Sequence, residues 1–417
     1  MAQLTDDCFA FGGALMRIED ALAELERRLP PIDGRETAPL AAAEGRILAA
    51  DIVAGRSVPP HDNSAVDGYA VRFADLAPDG PTRLPLAGRV AAGHPFAGPL
   101  PPGAALRVFT GAALPAGVDT VLMQEDCAAE GDTVSIPHGI RKGANYRLAG
   151  EDVTEGSTIL RRGRRLRPAD LGLAASIGLA ALPVFRRLRV ALFSTGDEVR
   201  EPGTAAPDGA VYDANRFTLR GLLGRLGCGI TDLGILPDDP GSLTRALADA
   251  ASGHDLLMTS GGVSGGEEDH VKQAVERAGG AVHAWRLAIK PGRPVALGQI
   301  GSTAFIGLPG NPVAVMVTFL LVARPLLLRR AGAEGAPPAR FPVTAAFGYR
   351  KKKDRREYVR VTLKAGEDGR PCAVKHPRDG AGILSSVVES DGLVELGEEV
   401  TEIRPGETVN FLSFDAS

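Results

Sequence analysis

The segment LLMTSGGVSGGEED at 256–269 carries the parts of a site for phosphate chemistry. Its apolar run reads as a buried parallel strand. The glycines then allow a tight turn whose backbone N–H groups can approach an oxyanion with no Cβ in the way. Glu267, Glu268 and Asp269 follow. Carboxylates repel an anion, but they can hold a divalent cation that bridges to one. The loop has neither the GxxxxGK[ST] pattern of a Walker A loop nor the GxGxxG dinucleotide fingerprint. Taken alone, it could equally be a plain glycine turn.

Four further segments end apolar runs in the same way. Ser194, Thr195, Gly196 and Glu198 follow one strand-like run, and Asp238 follows the next. Lys290 and Arg293 sit in a Pro-Gly turn, and Pro309, Gly310 and Asn311 close a last run. Singly, each has a structural explanation, such as a helix cap at Asp239 or surface charge at Lys290. In an open α/β sheet, however, loops that follow parallel strands converge on one edge, where ligands bind. The predicted site therefore gathers Thr195, Gly196, Ser260, Gly261, Gly262, Ser264, Pro309 and Asn311. Glu198, Asp238 and Asp269 offer hard oxygen ligands suited to Mg²⁺, and Arg286, Lys290 and Arg293 offer cations for a polyanion. A substrate with several phosphates and a bound divalent metal needs both signs of charge.

The elements that would position these residues follow from the pattern. Residues 18–29 predict an amphipathic helix, and the alanine-rich 37–51 predicts another. The Pro- and Gly-rich stretch from about 60 to 150 predicts an all-β lobe. Residues 164–178 read as helix. From 188 onward strand and helix alternate, which predicts a three-layer αβα domain with a mostly parallel sheet. Asp239 and Asn311 are expected as helix caps, each followed by a proline. The apolar 313–328, interrupted by Arg324 and Pro325, reads as a buried helix. Residues 331–339 resemble a linker, and the Val- and Thr-rich remainder predicts a small β domain.

At 417 residues, with 44% hydrophobic and 24% charged residues, the composition is that of a globular chain of several domains. The net charge of −4 gives no global case for nucleic acid or an anionic membrane. The basic runs 161–167 and 351–356 lack interleaved aromatics and read as solvated or substrate-steering charge. The four cysteines are far apart and form no CxxC pair, which fits a reduced, cytoplasmic setting.

Across nearly its whole length the sequence resembles the MoeA family of molybdopterin molybdenumtransferases, which includes the C-terminal domain of gephyrin. The resemblance is carried by DNSAVDGYA at 62–70, FTGAALPAGVD at 109–119, GEDV at 150–153, FSTGDE at 193–198, YDAN at 212–215, the 259–269 loop, IKPGRP at 289–294 and LPGNPV at 308–313. It implies an elongated, L-shaped homodimer of four-domain chains. The domains are drawn at 31–60 with 145–178 (an α/β linker domain), 61–144 (a β-rich lobe), 1–30 with 179–330 (the molybdopterin-binding αβα domain) and 331–417 (a C-terminal β domain). Molybdate and adenylylated molybdopterin would meet at the dimer interface, with insertion of molybdenum, release of AMP and assistance from Mg²⁺ or Zn²⁺. The family's functional acids match Asp62, Asp152, Glu198, Asp238 and Asp269, with Glu198, Asp238 and Asp269 as metal ligands. Arg286, Lys290, Arg355, Ser385 and Ser386 match residues at the same cleft. The adenylyltransferase and molybdoenzyme-specific chaperones are further expected partners, whereas nucleic acid and membrane are not expected. The central domain is also similar to molybdopterin adenylyltransferases, and a carrier or scaffold without catalysis is the other alternative. Two departures from the family pattern stand out: Arg286 where lysine is frequent, and no Ala-Asn pair after Ser385 and Ser386.

Overall fold

The computed structural model describes residues 15–28, 30–262, 270–334, 338–366 and 369–415. From residue 189 strand and helix alternate: β1 (Arg189–Thr195), α1 (Ala214–Arg225), β2 (Gly229–Leu236), α2 (Pro240–Gly253), β3 (Leu256–Ser260), α3 (His270–Arg277), β4 (Gly280–Arg286), β5 (Ile289–Lys290), β6 (Pro294–Ile300), β7 (Thr303–Leu308) and α4 (Pro312–Thr318). All but β5 form one six-stranded sheet in the order β2-β1-β3-β7-β6-β4. The first four strands are mutually parallel. β6 runs antiparallel to both its neighbours, so the sheet is mostly, not wholly, parallel.

Both faces of this sheet are covered, which is why its strands read as continuous apolar runs. Val190, Leu192, Leu256, Met258 and Ile306 point to one face and pack with Leu219, Leu223 and the 312–330 segment. Ala191, Phe193, Leu257 and Phe305 point to the other and pack with Leu243, Leu247, Val271 and Val275. The helix Ile18–Arg28, found where periodicity placed it, adds Ile18 and Ala21 to the first core. The Asp239 side chain caps α2 by accepting from the Ser242 N–H at 2.7 Å, with Pro240 in the first turn. The long apolar segment is helical at Pro312–Thr318, widens to a π turn at Phe319–Ala323 and resumes at Arg324–Arg330. Pro325 has no N–H to give to the preceding turn, which is a physical reason for the widening. It is long and apolar enough to cross a membrane, but 72% of its most apolar window is buried inside the fold, as in a core helix.

The segment 37–51, expected as helix, is not helical. Arg35–Pro39 is a strand paired antiparallel with Ala181–Phe185, followed by a single 3₁₀ turn at Leu40–Ala42. Pairing and burial of Ala38, Leu48, Leu182 and Val184 override alanine's helix preference, and Pro39 has no N–H to give a helix. The predicted β lobe is present as six strands in the order Thr120–Met123, Gly68–Val71, Ala105–Val108, Thr82–Val90, Thr133–Ile136 and Ala128–Glu130. The helix expected over 164–178 is shorter, at Pro168–Ser176.

The C-terminal strands close into a ring. β8 (Arg356–Ala365) pairs with Pro371–Lys375 along its second half and with Gly392–Leu396 along its first. Phe341–Ala345 and Thr408–Ser413 complete the circuit. The short strand β5 of the central domain lies parallel beside β8, with Lys290 opposite Glu357.

At the sheet edge remote from the strand C-termini, Asp255 accepts from the Arg186 guanidinium at 2.6 and 2.7 Å and from the Arg189 N–H at 2.8 Å. Burial would raise its carboxyl, but these bonds outweigh it and hold the pKa at about 2. The folded value lies below the unfolded one, so the stabilisation is full above about pH 4 and disappears as pH falls through about 2. Asp255→Asn is expected to lower the unfolding free energy near neutrality by about 2 kcal/mol. Denaturant titrations should show the gap to the parent closing between pH 4 and pH 2; a pH-independent gap would contradict this account.

Candidate functional site

The strands end flush. Ser194 is in register with Ser260, Ser260 with Leu308, and Thr195 with Leu236. The loops at 196, 237, 261 and 309 therefore start at one level, and the loop after β4 opens on the same edge because Arg286 is opposite Pro294. The two glycine loops touch. The Gly261 N–H donates to the Leu308 carbonyl at 2.9 Å, and a Cβ on Gly310 would sit 3.8 Å from the Gly261 Cα. The Asn215 amide, at the start of α1, donates to the Gly310 carbonyl at 2.7 Å. Glycine is required at 262, where φ is +64° and a Cβ would lie 2.6 Å from Val271 Cγ2.

Between this edge and the C-terminal ring lies a cleft of about 480 Å³. Of the predicted residues, Gly261, Gly262, Lys290, Arg293, Pro309 and Asn311 line it. Asn311 occupies the cap position of α4, but its side chain makes no capping bond. The far wall is Ala381 of the ring, whose carbonyl accepts from the Val313 N–H at 3.0 Å. The buried Arg360 secures that wall by donating to the Gly380 and Arg378 carbonyls at 3.0 and 2.8 Å. A smaller cavity of about 110 Å³ adjoins the cleft through Lys290, Pro291 and Ala381, and is lined by Tyr349, Glu357, Arg360, His376 and Asp379.

Glu357 lines the smaller cavity, next to Lys290, which borders both spaces. It accepts from Tyr349 Oη at 2.8 Å, from Arg355 Nε at 3.2 Å and from Lys290 Nζ at 3.3 Å. Burial would raise its carboxyl, but the Arg355 and Tyr349 bonds and the Lys290 charge hold it below the ordinary glutamate value. Burial and the same carboxylate push the Tyr349 hydroxyl well up. Arg355 lines neither space, and its guanidinium is held on Glu357.

The acids gather less completely. Thr195 Oγ1 donates to Asp238 Oδ1 at 3.3 Å. The Glu198 carboxylate folds over the neighbouring glycine, lying 2.7 Å from where a Cβ on Gly196 would be. Asp238 and Glu198 therefore flank the Thr195–Gly196 turn, which lies beside Gly262, while neither acid lines the cleft itself. Asp269 and Ser264 lie outside the described residues. Among the described residues no three His, Cys, Asp or Glu side chains form a metal-binding group. Ser260 is buried at the end of β3, and Arg286 is exposed at the end of β4.

Asp62 and Asp152 sit elsewhere in the chain. Asp62 accepts from the Tyr146 hydroxyl and from the Ala149 N–H at 2.7 Å, so it anchors the 146–149 segment. Burial first, and then this bond, raises the Tyr146 pKa. Asp152 is exposed. In the ring, Ser385 Oγ accepts from Arg378 at 3.3 Å, whereas the buried Ser386 hydroxyl is spent on the Ile383 carbonyl. Sequence reasoning missed Glu357 and Asn215 as parts of the site. The signal for Asn215 was its place inside the YDAN string, whereas Glu357, in the mixed polar and apolar strand 356–365, gave none.

Comparison with known proteins gives three matches along the chain: MoeA N-terminal region (domain I and II) over 16–178, probable molybdopterin binding domain over 191–329, and MoeA C-terminal region (domain IV) over 342–414. The molybdopterin molybdenumtransferase of Haemophilus influenzae is 38% identical over 403 residues, covering 96% of this chain and 99% of its own length. Molybdopterin molybdenumtransferase 2 of Mycobacterium tuberculosis is 35% identical, covering 92% and 95%. Among solved structures, the molybdopterin biosynthesis MoeA protein of Pyrococcus horikoshii superposes with a TM-score of 0.81 at 29% identity, covering 96% of this chain and 100% of that one.

Gly262→Ala is expected to cost about 1–3 kcal/mol of stability through its left-handed backbone and the clash with Val271. Gly279→Ala, at φ +80° with nothing within 4 Å of its Cβ, carries the strain without the clash and should cost less. Chemical unfolding of the two variants checks the order.

Proposed function

The chain belongs to the MoeA family of molybdopterin molybdenumtransferases, and from that premise we propose that its cleft inserts molybdate into adenylylated molybdopterin and hydrolyses the adenylyl group to release AMP. The observation that carries this reading is the distribution of charge. Lys290 and Arg293 line the cleft, while Asp238 and Glu198 flank the Thr195–Gly196 turn beside Gly262 of its lining.

Molybdate is a tetrahedral dianion, so ammonium, guanidinium and backbone N–H donors suit it. Lys290 and Arg293 would bind and orient the anionic substrates, and the side-chain NH₂ of Asn311, also on the cleft lining, would add an uncharged donor. The close contact of Gly261 with Gly310 keeps this floor free of side chains. Asp238 and Glu198 are hard oxygen donors on one turn and fit Mg²⁺, with Asp269 as the third ligand expected from sequence. Bound there, the cation would neutralise charge developing on the phosphate and acidify water. Asp238 is held by the Thr195 hydroxyl, which keeps its carboxylate turned toward the loop.

The contacts of Asp62 stay within the N-terminal part of the chain. We place the exposed Asp152 at the cleft of a second copy, making the working unit a homodimer. The described cysteines Cys127, Cys228 and Cys372 are unpaired, which supports a reducing, cytoplasmic setting.

With adenylylated molybdopterin, Mg²⁺ and molybdate, the purified protein should release AMP in a molybdate-dependent reaction. Asp238→Ala should abolish it, and Lys290→Ala should lower kcat/KM by about tenfold or more. Tight binding without AMP release would sink the catalytic reading and leave a carrier. In a separate test, inactive Asp152→Ala and Asp238→Ala proteins are mixed and allowed to exchange subunits. Recovery of part of the activity is expected if each site draws on both chains; no recovery after demonstrated exchange would refute the shared site.

A further inference from the structure

Glu357 is 2% exposed, and a carboxylate buried that deeply must be compensated. Arg355 and Tyr349 already do so. The guanidinium reaches one carboxylate oxygen and the phenol the other. Lys290 is therefore not needed to make Glu357 tolerable. Its side chain is 49% exposed, and it borders both the cleft and the smaller cavity. Yet its ammonium lies 3.3 Å from Glu357 Oε2. The main chain enforces this pairing, because β5 and β8 are hydrogen-bonded with Lys290 directly opposite Glu357. A free lysine samples many rotamers, and restricting it costs side-chain entropy. An ammonium held by one acceptor before any ligand arrives has paid part of that cost, and its remaining N–H donors stay available.

We propose that Glu357 is a positioning residue: its carboxylate, fixed by Arg355 and Tyr349, holds the Lys290 ammonium at the cleft wall for the incoming oxyanion. This rests on the reading that Lys290 meets molybdate. Glu357 touches no substrate in this scheme and acts only through the lysine.

The test is a double-mutant cycle of parent, Glu357→Gln, Lys290→Ala and the double variant, read as kcat and KM for molybdate in AMP release and as molybdate Kd by calorimetry. Glu357→Gln should lower kcat/KM and weaken molybdate binding by about tenfold when Lys290 is present, and by less than about twofold when it is alanine. Equal losses in both backgrounds would overturn the proposal, since a purely structural role does not depend on Lys290. Glu357→Asp, which keeps the charge but withdraws it by one methylene, is carried through the same cycle in case the glutamine variant fails to fold, and is judged identically. A parent that binds molybdate without releasing AMP would defeat the catalytic reading, while the affinities would still decide whether Glu357 works through Lys290. A parent that binds no molybdate would overturn both.

Discussion

The parallel register of the central sheet is the constraint on which the rest depends. Because Ser194, Ser260 and Leu308 lie side by side, three loops leave the sheet at one level, and Leu236 beside Thr195 brings a fourth. A slip of one residue in any strand would turn its core side chains toward the opposite face. The two apolar cores forbid that slip, since Val190 and Leu192 belong to one and Ala191 and Phe193 to the other. Hydrophobic packing on the two faces thus sets, at a distance, where the glycines, Thr195 and Asp238 meet. The polar groups contribute little to holding the sheet and depend wholly on it for their positions.

The second wall of the cleft comes from the C-terminal ring and is attached by main-chain bonds. The ring takes β5 as an added strand beside β8, and Val313 of the central domain donates to Ala381 of the ring. Both attachments are made by residues that also border the cleft or adjoin its lining, so a shift of the ring cannot leave the cleft unchanged. Arg360 keeps the 378–380 backbone in place from within the ring. The shape of the cleft is in this sense a property of the junction between two cores.

Much of this was legible in sequence, and the gaps have physical causes. The αβα alternation, the cap at Asp239, the helix start at Asn311 and the glycine loops were visible because each has a strong local signal in periodicity, capping chemistry, a first-turn proline or missing Cβ atoms. The start of the 37–51 segment was misread because alanine-rich composition favours helix only until a partner strand competes for the same backbone, and that partner lies at Ala181–Phe185. Ser386 was read as a site residue, but its hydroxyl is internal to the turn that carries it. Glu357 was invisible for a different reason. Nothing near it in sequence shows that β5, from a loop of another domain, will lie alongside.

The separation of charges within the site follows from that same junction. Among the described residues, no ion pair joins Asp238 or Glu198 to Lys290 or Arg293. Had the lysine closed on one of those acids, the site would have neutralised itself, losing both a cation ligand and an anion donor. A half-exposed ammonium beside carboxylates finds a partner readily, and the fold supplies one that is not a candidate metal ligand. Glu357 is buried, already balanced by Arg355 and carried on a different domain. It can accept from Lys290 without drawing the lysine toward the acidic turn. A third charged group that occupies the lysine thus helps keep opposite charges available around one site, and the inserted strand is what delivers it.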